Sequence, residues 1–135
     1  MEYNDILTRA FEAMDNAYAP YSKYHVGACV KTKDNKYFIG ANIENAAYGP
    51  SICGERNAIF AAYSNGYRKE DIESIAIVTN GGRIGTPCGT CRQVLSELIG
   101  QDTPIVLSNK KETKVMTIET LLPYSFSSED LHEKI

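Results

Sequence analysis

The sequence predicts an α/β fold in which a mixed five-stranded sheet is flanked by helices. Three observations lead to this prediction. Strand-like segments alternate with segments of helical periodicity, one strand is a continuous apolar run typical of a buried sheet, and the strand–helix–strand order after it is that of a crossover connection. The 135 residues suit one domain, spanning 1–135, with its own hydrophobic core.

The N-terminal half predicts a helix, a hairpin and a second helix. Apolar residues recur at helical spacing over residues 4–16. Small and β-branched residues alternate with polar ones from Tyr24 to Thr32, and a polar turn separates this segment from Tyr37–Ala41, which predicts a hairpin. After a Gly-Pro-Ser break, the spacing of alanine and isoleucine predicts a helix from about Ile52 to Asn65.

The C-terminal half continues the alternation of strands and helices. Ser74–Thr79 is the compact apolar run with the pattern of a buried strand, and the glycine-containing loop after it leads to a helix over about Cys91–Ile99. The next segments predict a strand at Pro104–Ser108, a strand at Lys114–Thr117 and a short helix at Ile118–Leu122.

Composition excludes several classes of function. The chain is 43% hydrophobic and 23% charged, with a net charge of −3, and it has no basic stripe interleaved with aromatics, which argues against nucleic acid as a partner. No apolar run reaches the roughly 18 residues of a membrane span. The N-terminal residues carry acids in a helical pattern instead of a secretory signal, so we expect a cytoplasmic protein whose four cysteines are thiols or metal ligands.

Two of the cysteines have the spacing of a metal-ligand pair, and a third lies far away in sequence with a glutamate two residues after it. Cys88 and Cys91 form a C-x-x-C, which alone is weak evidence for a catalytic site, because it is also typical of a redox pair and of half of a structural zinc site. Cys53 adds a third thiol at the start of another predicted helix, where the helix dipole favours the thiolate. A tetrahedral Zn²⁺ with three protein ligands leaves its fourth position to water, as catalytic zinc sites do.

Charged residues next to these cysteines have two interpretations each. Glu55 lies in a first helical turn, which the dipole alone favours, but beside an open zinc position it can act as general base and general acid. Arg56 can donate hydrogen bonds to cysteine sulfurs and offset their charge, a role we favour over a solvated surface position. Arg92 follows Cys91 in the equivalent place, and both interpretations remain open for it.

Whether the zinc site is catalytic or structural depends on whether Cys29 or a histidine supplies a fourth ligand. Cys29 lies within a predicted strand, where a free cysteine commonly packs as a small apolar residue. If Cys29 were a fourth ligand, the site would be closed and structural. His25 and His132 have no partner at metal-ligand spacing, and we expect both to be surface or packing residues.

With these motifs in place, the chain resembles the small, homotetrameric cytidine deaminases over nearly its whole length. The segments that carry the resemblance are Asn42–Tyr48, Cys53–Arg56, Pro87–Arg92 and Leu121–Phe126. The resemblance implies a three-layer fold, a Zn²⁺ cofactor and a nucleoside substrate.

The resemblance also implies roles for individual residues. Asn42 and Glu44 would bind the ribose hydroxyls, as the alternation of side chains along an extended segment allows. Phe126 would stack on the pyrimidine, and Tyr48 would contribute across a subunit boundary, so that active sites are shared. Without the resemblance, we would interpret Phe126 as a tail residue that packs on the core and Tyr48 as a loop aromatic. Tyr24 would bind the substrate near the base and the sugar, at a position where the family usually has phenylalanine.

Gly54 is a second departure from the family pattern, because an alanine is common between the ligand and the glutamate. Its backbone groups would still contact the pyrimidine. The expected function is deamination of cytidine and deoxycytidine to the uridine forms with ammonia release, for pyrimidine salvage. The alternatives are a deaminase of an aminopyrimidine or antibiotic nucleoside, and a structural zinc module that uses Cys29.

Overall fold

The core of the fold is a five-stranded sheet, seen in a computed structural model that describes residues 2–132, although not the side chain of His132. The strands follow one another across the sheet in the order β2-β1-β3-β4-β5. Only β3 and β4 are parallel, and the other neighbouring pairs are antiparallel. The strands are β1 (Val26–Thr32), β2 (Tyr37–Ala41), β3 (Ile72–Thr79), β4 (Ile105–Ser108) and β5 (Thr113–Met116). This arrangement confirms the predicted mixed sheet.

Helices cover both faces of the sheet. They are α1 (Asn4–Met14), α2 (Gly54–Ser64), α3 (Gly89–Leu98), α4 (Ile118–Leu121) and α5 (Ser128–His132), and a single 3₁₀ turn occupies Lys69–Asp71. No helix within residues 2–132 is long and apolar enough to cross a membrane.

Alternation along the strands divides the core into two layers. In β1, Ala28 and Val30 pack with residues of α2 and α3, whereas Cys29 packs with residues of α1. Because successive side chains of a strand point to opposite faces, one apolar strand serves both layers. The result is the three-layer arrangement that the family resemblance implied.

Most element boundaries differ from the sequence prediction by one or two residues, and three of the differences bear on the site. β1 begins at Val26, so Tyr24 precedes the strand. Helix α2 begins at Gly54 and α3 at Gly89, with Cys53 and Cys88 in extended conformation as their N-cap residues. Cysteine, unlike serine or aspartate, is not a characteristic capping residue, so the sequence does not mark these starts. The 3₁₀ turn and α5 are additional elements.

Two glycines let helices lie directly against the sheet. A Cβ at Gly27 would lie 2.1 Å from Ala10 O and 2.5 Å from Met14 N, both backbone atoms of α1. A Cβ at Gly40 would lie 2.5 Å from Ala58 N of α2. Backbone atoms cannot move aside as a flexible side chain can, so only glycine fits at these two contacts.

We predict that Gly27→Ala lowers the free energy of unfolding by about 3 kcal/mol, because the new methyl group overlaps the backbone of α1. Gly49→Ala is the matched control, since a Cβ there has no atom within 4 Å, and it should change stability by less than about 0.5 kcal/mol. Urea unfolding of both variants gives the comparison. Equal midpoints for the two would contradict the close helix–sheet contact.

Candidate active site

Three cysteine sulfurs converge where two helices begin. Cys53 is the N-cap residue of α2, Cys88 is the N-cap residue of α3, and Cys91 lies in the first turn of α3. Their Sγ atoms all lie within 4.8 Å of one another, and Cys53 Sγ is 3.8 Å from Cys88 Sγ. Tetrahedral zinc with Zn–S bonds of about 2.3 Å places its sulfurs about 3.8 Å apart. The donor set therefore fits Zn²⁺.

The surroundings of these sulfurs favour negative charge. The neighbouring Cys91 thiol, and then the Arg56 guanidinium, lower the pKa of Cys53 to about 5. Arg56 Nη2 donates a hydrogen bond to Cys53 Sγ at 3.5 Å. The pKa of Cys91 is raised, chiefly because Cys53 holds the negative charge beside it. Cys53 is thus the first of the pair to become the thiolate that a metal needs.

Cys29 does not belong to this group. It is fully buried on the face of the sheet that α1 covers, and burial raises the pKa of its thiol to about 12. Within the described chain, the group of potential metal ligands contains only the other three cysteines. This geometry contradicts the alternative of a closed zinc site that uses Cys29. His25 also lies outside the group, and the side chain of His132 is outside the described residues.

Glu55 is a buried carboxylate beside the cysteines. It lies in the first turn of α2, is 4% exposed and lines the same pocket as Cys53 and Cys88. Burial raises the pKa of this carboxyl to about 7. A carboxyl group whose pKa is near neutrality can both accept and return a proton, which is the property required of a combined general base and acid.

A pocket of about 430 Å³ opens above this group. Its volume is within the range of small-molecule sites. The predicted site residues that line it are Tyr24, Asn42, Glu44, Tyr48, Cys53, Glu55, Arg56 and Cys88. Gly54, between Cys53 and Glu55, is buried, and a methyl group there would lie 3.1 Å from Val26 O, so α2 starts close against β1.

Asn42 and Glu44 have protein partners that hold the pocket wall in place. Asn42 Oδ1 accepts a hydrogen bond from Val26 N at 2.9 Å, and its Nδ2 donates to Tyr24 O at 2.8 Å. Glu44 accepts hydrogen bonds from the backbone N–H groups of Tyr21 and Ser22 and from the Ser22 hydroxyl. The Ser22 hydroxyl is the main reason that the pKa of Glu44 is lowered. Both side chains retain hydrogen-bonding capacity toward the pocket.

The aromatic residues differ in their position. Tyr24 lies at the pocket wall, and Tyr48, although it lines the pocket of its own chain, is 86% exposed. Phe126 is exposed and is not part of the pocket lining of this chain. Its carbonyl oxygen accepts a hydrogen bond from Gln93 Nε2 at 2.9 Å, which fixes the backbone of the C-terminal segment to α3.

Arg92, whose role the sequence leaves open, braces the loop before the cysteine pair. Its Nε donates to Pro87 O at 2.7 Å, Nη2 to Thr86 Oγ1 at 2.8 Å and Nη1 to Leu121 O at 2.7 Å. The guanidinium therefore connects the metal loop to the end of α4. It is not a surface residue free in solvent, and its hydrogen bonds are to oxygen acceptors, not to sulfur.

Sequence reasoning missed several residues of the lining. Ser22 bonds Glu44, and Ile77 and Thr79 reach the pocket from β3, with Gly85 in the loop that follows. For Thr79 a signal existed, because it lies two positions after Ile77 and therefore on the same face of the predicted strand. For Ser22 and Gly85, no local pattern in the sequence indicates the pocket.

Three cysteine sulfurs at two helix N-termini, beside a buried carboxylate, are the donor set of the class of zinc enzymes that leave one coordination position open. Residues 1–107 match the sequence model of the cytidine and deoxycytidylate deaminase zinc-binding region. The chain belongs to the cytidine deaminase family, and Zn²⁺ is its cofactor.

Individual relatives agree with this assignment over nearly the whole chain. A cytidine deaminase from Halalkalibacterium halodurans is 42% identical over 134 residues, with 98% of this chain and all of that protein covered. One from Sporosarcina psychrophila is 39% identical, with 97% and 96% covered. The crystal structure of cytidine deaminase from Burkholderia pseudomallei has a TM-score of 0.88 at 40% identity, covering 93% of this chain and 100% of that one.

We predict that Cys88→Ser strongly reduces the zinc content of the purified protein, because it removes one of three sulfur donors. Cys29→Ser should leave the zinc content of the chain unchanged, since that thiol lies on the other face of the sheet. Metal analysis after gel filtration measures both. Zinc loss in Cys29→Ser together with retention in Cys88→Ser would contradict the proposed ligand set.

Proposed function

We propose that this protein catalyses the hydrolytic deamination of cytidine and deoxycytidine to uridine and deoxyuridine, with release of ammonia, and that it acts as one domain. The single observation that carries the proposal is the buried Glu55 carboxylate on the wall of a nucleoside-sized pocket, next to Cys53 and Cys88. The names of the full-length relatives support cytidine as the substrate.

In the proposed reaction, Cys53, Cys88 and Cys91 hold the metal. Zinc in such a site supplies an activated water molecule as the nucleophile for C4 of the ring. Glu55 takes the proton from the attacking water, transfers it to N3 and then assists proton transfer to the departing amine, so that a carbonyl oxygen replaces the amine as ammonia leaves. Burial of Glu55 keeps bulk water from competing for these protons.

Arg56 is proposed to offset the charge of the sulfurs. Three thiolates on one Zn²⁺ give a net anionic centre, which weakens the polarisation of a bound ligand. The hydrogen bond from Arg56 Nη2 to Cys53 Sγ withdraws part of this charge. The same arginine is held in the pocket wall one residue after Glu55, so charge balance and proton transfer come from one helical turn.

Asn42 and Glu44 are proposed to recognise the sugar. The depressed pKa of Glu44 keeps it ionised and able to accept hydrogen bonds from hydroxyl groups. Its partner Ser22 and the partners of Asn42 fix both side chains, so that less entropy is lost when a ribose binds. A site that pairs sugar hydroxyls in this way favours a nucleoside over free cytosine.

We predict that the purified protein releases ammonia from cytidine and deoxycytidine, and that it acts much more slowly on cytosine and adenosine. Glu55→Gln should retain zinc and lose about 10²–10⁴-fold in kcat, because the amide cannot carry the proton. Glu119→Gln, at an exposed position of α4, is the matched control and should keep full activity. Cytidine turnover by Glu55→Gln at the parent rate would contradict the proposed mechanism.

The proposed active form is a homotetramer with shared active sites, used for pyrimidine salvage. Phe126 lies outside the pocket lining of its own chain, and Tyr48 and Phe126 both expose large aromatic surface. Such exposed aromatic groups are typical of interfaces.

We predict a tetrameric mass by light scattering. Phe126→Ala should raise KM for cytidine by about tenfold through loss of a stacked ring contact. A fully active monomer would contradict shared sites.

A further inference from the structure

Thr79, the last residue of β3, has a polar group for which the protein provides no partner. Its side chain is 3% exposed and lines the pocket. Within residues 2–132, no donor or acceptor forms a hydrogen bond with Oγ1. Burial of an unpaired hydroxyl is unfavourable, and most such groups in folded proteins are paired. An exception at the wall of a ligand pocket points to a ligand as the missing partner.

A second hydroxyl borders the same small space. A methyl group at Gly85 would lie 2.1 Å from the Tyr24 hydroxyl oxygen and 3.4 Å from Thr79 Oγ1. Glycine at position 85 therefore leaves room for the Tyr24 hydroxyl. Two hydroxyls that face one space can each donate or accept, so they suit one hydrogen-bonding atom between them.

The depth of Thr79 indicates which part of a nucleoside it faces. Glu55 and Thr79 are both buried, whereas Glu44 is only half-buried and Tyr48 is exposed. The reacting amine must reach Glu55, so the base enters first, and the part of the sugar that meets Glu44 and Tyr48 stays nearer the mouth. Thr79 shares its strand face with Ile77, whose apolar side chain also lines the pocket. This wall therefore lies along the pyrimidine ring.

We propose that Thr79 is a specificity-determining residue whose hydroxyl, together with that of Tyr24, holds a hydrogen-bonding group of the pyrimidine ring, directly or through one water molecule. The inference rests on the proposed nucleoside deaminase function and adds to it a contact on the side of the pocket formed by β3. The hydroxyl lowers the stability of the free protein and strengthens the complex with substrate.

The test uses Thr79→Val, which keeps the shape of the side chain and removes the hydroxyl, and Thr79→Ser, which keeps the hydroxyl. Thr79→Val should raise the melting temperature of the ligand-free protein by roughly 3 °C and raise KM for cytidine about tenfold, with kcat changed by less than about twofold. Thr79→Ser should stay within about threefold of the parent KM, because it restores the hydrogen bond.

Thr103→Val is the matched control. Thr103 is also a buried threonine, but its Oγ1 accepts a hydrogen bond from Gly100 N at 3.0 Å and it is not part of the pocket lining. Its substitution should lower the melting temperature and leave KM unchanged. If Thr79→Val instead behaves like Thr103→Val, or leaves KM unchanged in an active protein, the hydroxyl has no ligand role and the inference is overturned.

A double substitution tests whether the two hydroxyls act on one ligand atom. In the Thr79→Val background, Tyr24→Phe should raise KM by clearly less than it does in the parent protein. Independent, multiplicative effects would overturn the paired contact. Failure of the parent protein to deaminate cytidine would overturn the proposed function itself, and this outcome is recognised from the parent protein alone.

Discussion

The convergence of three sulfurs on one point is the constraint on which the rest of the structure depends. Cys53 and Cys88 begin different helices, so α2 and α3 must both aim their N-termini at the same place. The sheet makes this possible because both helices pack on one of its faces. Positive helix ends and the Arg56 guanidinium then stabilise sulfur in the charged form that binds metal.

The close contacts beneath α2 help to place its N-terminus where the three sulfurs converge. At Gly40, a side chain would collide with the backbone of α2, and at Gly54 a methyl group would press on β1. Two positions without side chains thus set the depth at which the helix begins. Arg92 does the corresponding work for α3, since its three hydrogen bonds tie the loop before Cys88 to the end of α4. Glu55 is buried next to the sulfurs as a result.

Much of the fold could be predicted from the sequence, and so could the metal ligands. The apolar run of β3 and the helical spacing of α1 are local patterns, and the order of the segments restricts the topology. The convergence of Cys53 on the C-x-x-C was expected from the resemblance of these motifs to those of zinc deaminases, but the helix starts were each misplaced by two residues because cysteine is an unusual cap. Boundaries depend on hydrogen bonds that a pattern of polarity does not specify.

Contacts between distant segments could not be predicted. Ser22, which bonds Glu44, is 22 residues away from it, and Leu121 of α4, which bonds Arg92, is 29 residues away, and no periodicity connects either pair. The unpaired hydroxyl of Thr79 is likewise visible only when β3, the loop after it and the segment before β1 are seen together. Whether a buried polar side chain has a hydrogen-bond partner can be seen only in the folded structure.

The residues that carry out the reaction and the residues that form the rim of the pocket lie on different kinds of structural element. The ligands and Glu55 are carried at helix ends that the core holds rigidly, whereas Ser22, Glu44, Tyr48 and Gly85 are carried on connecting segments around them. Loops tolerate sequence change better than packed elements do. Substitutions in these loops can therefore change the substrate preference during evolution, while the residues that perform the reaction stay the same.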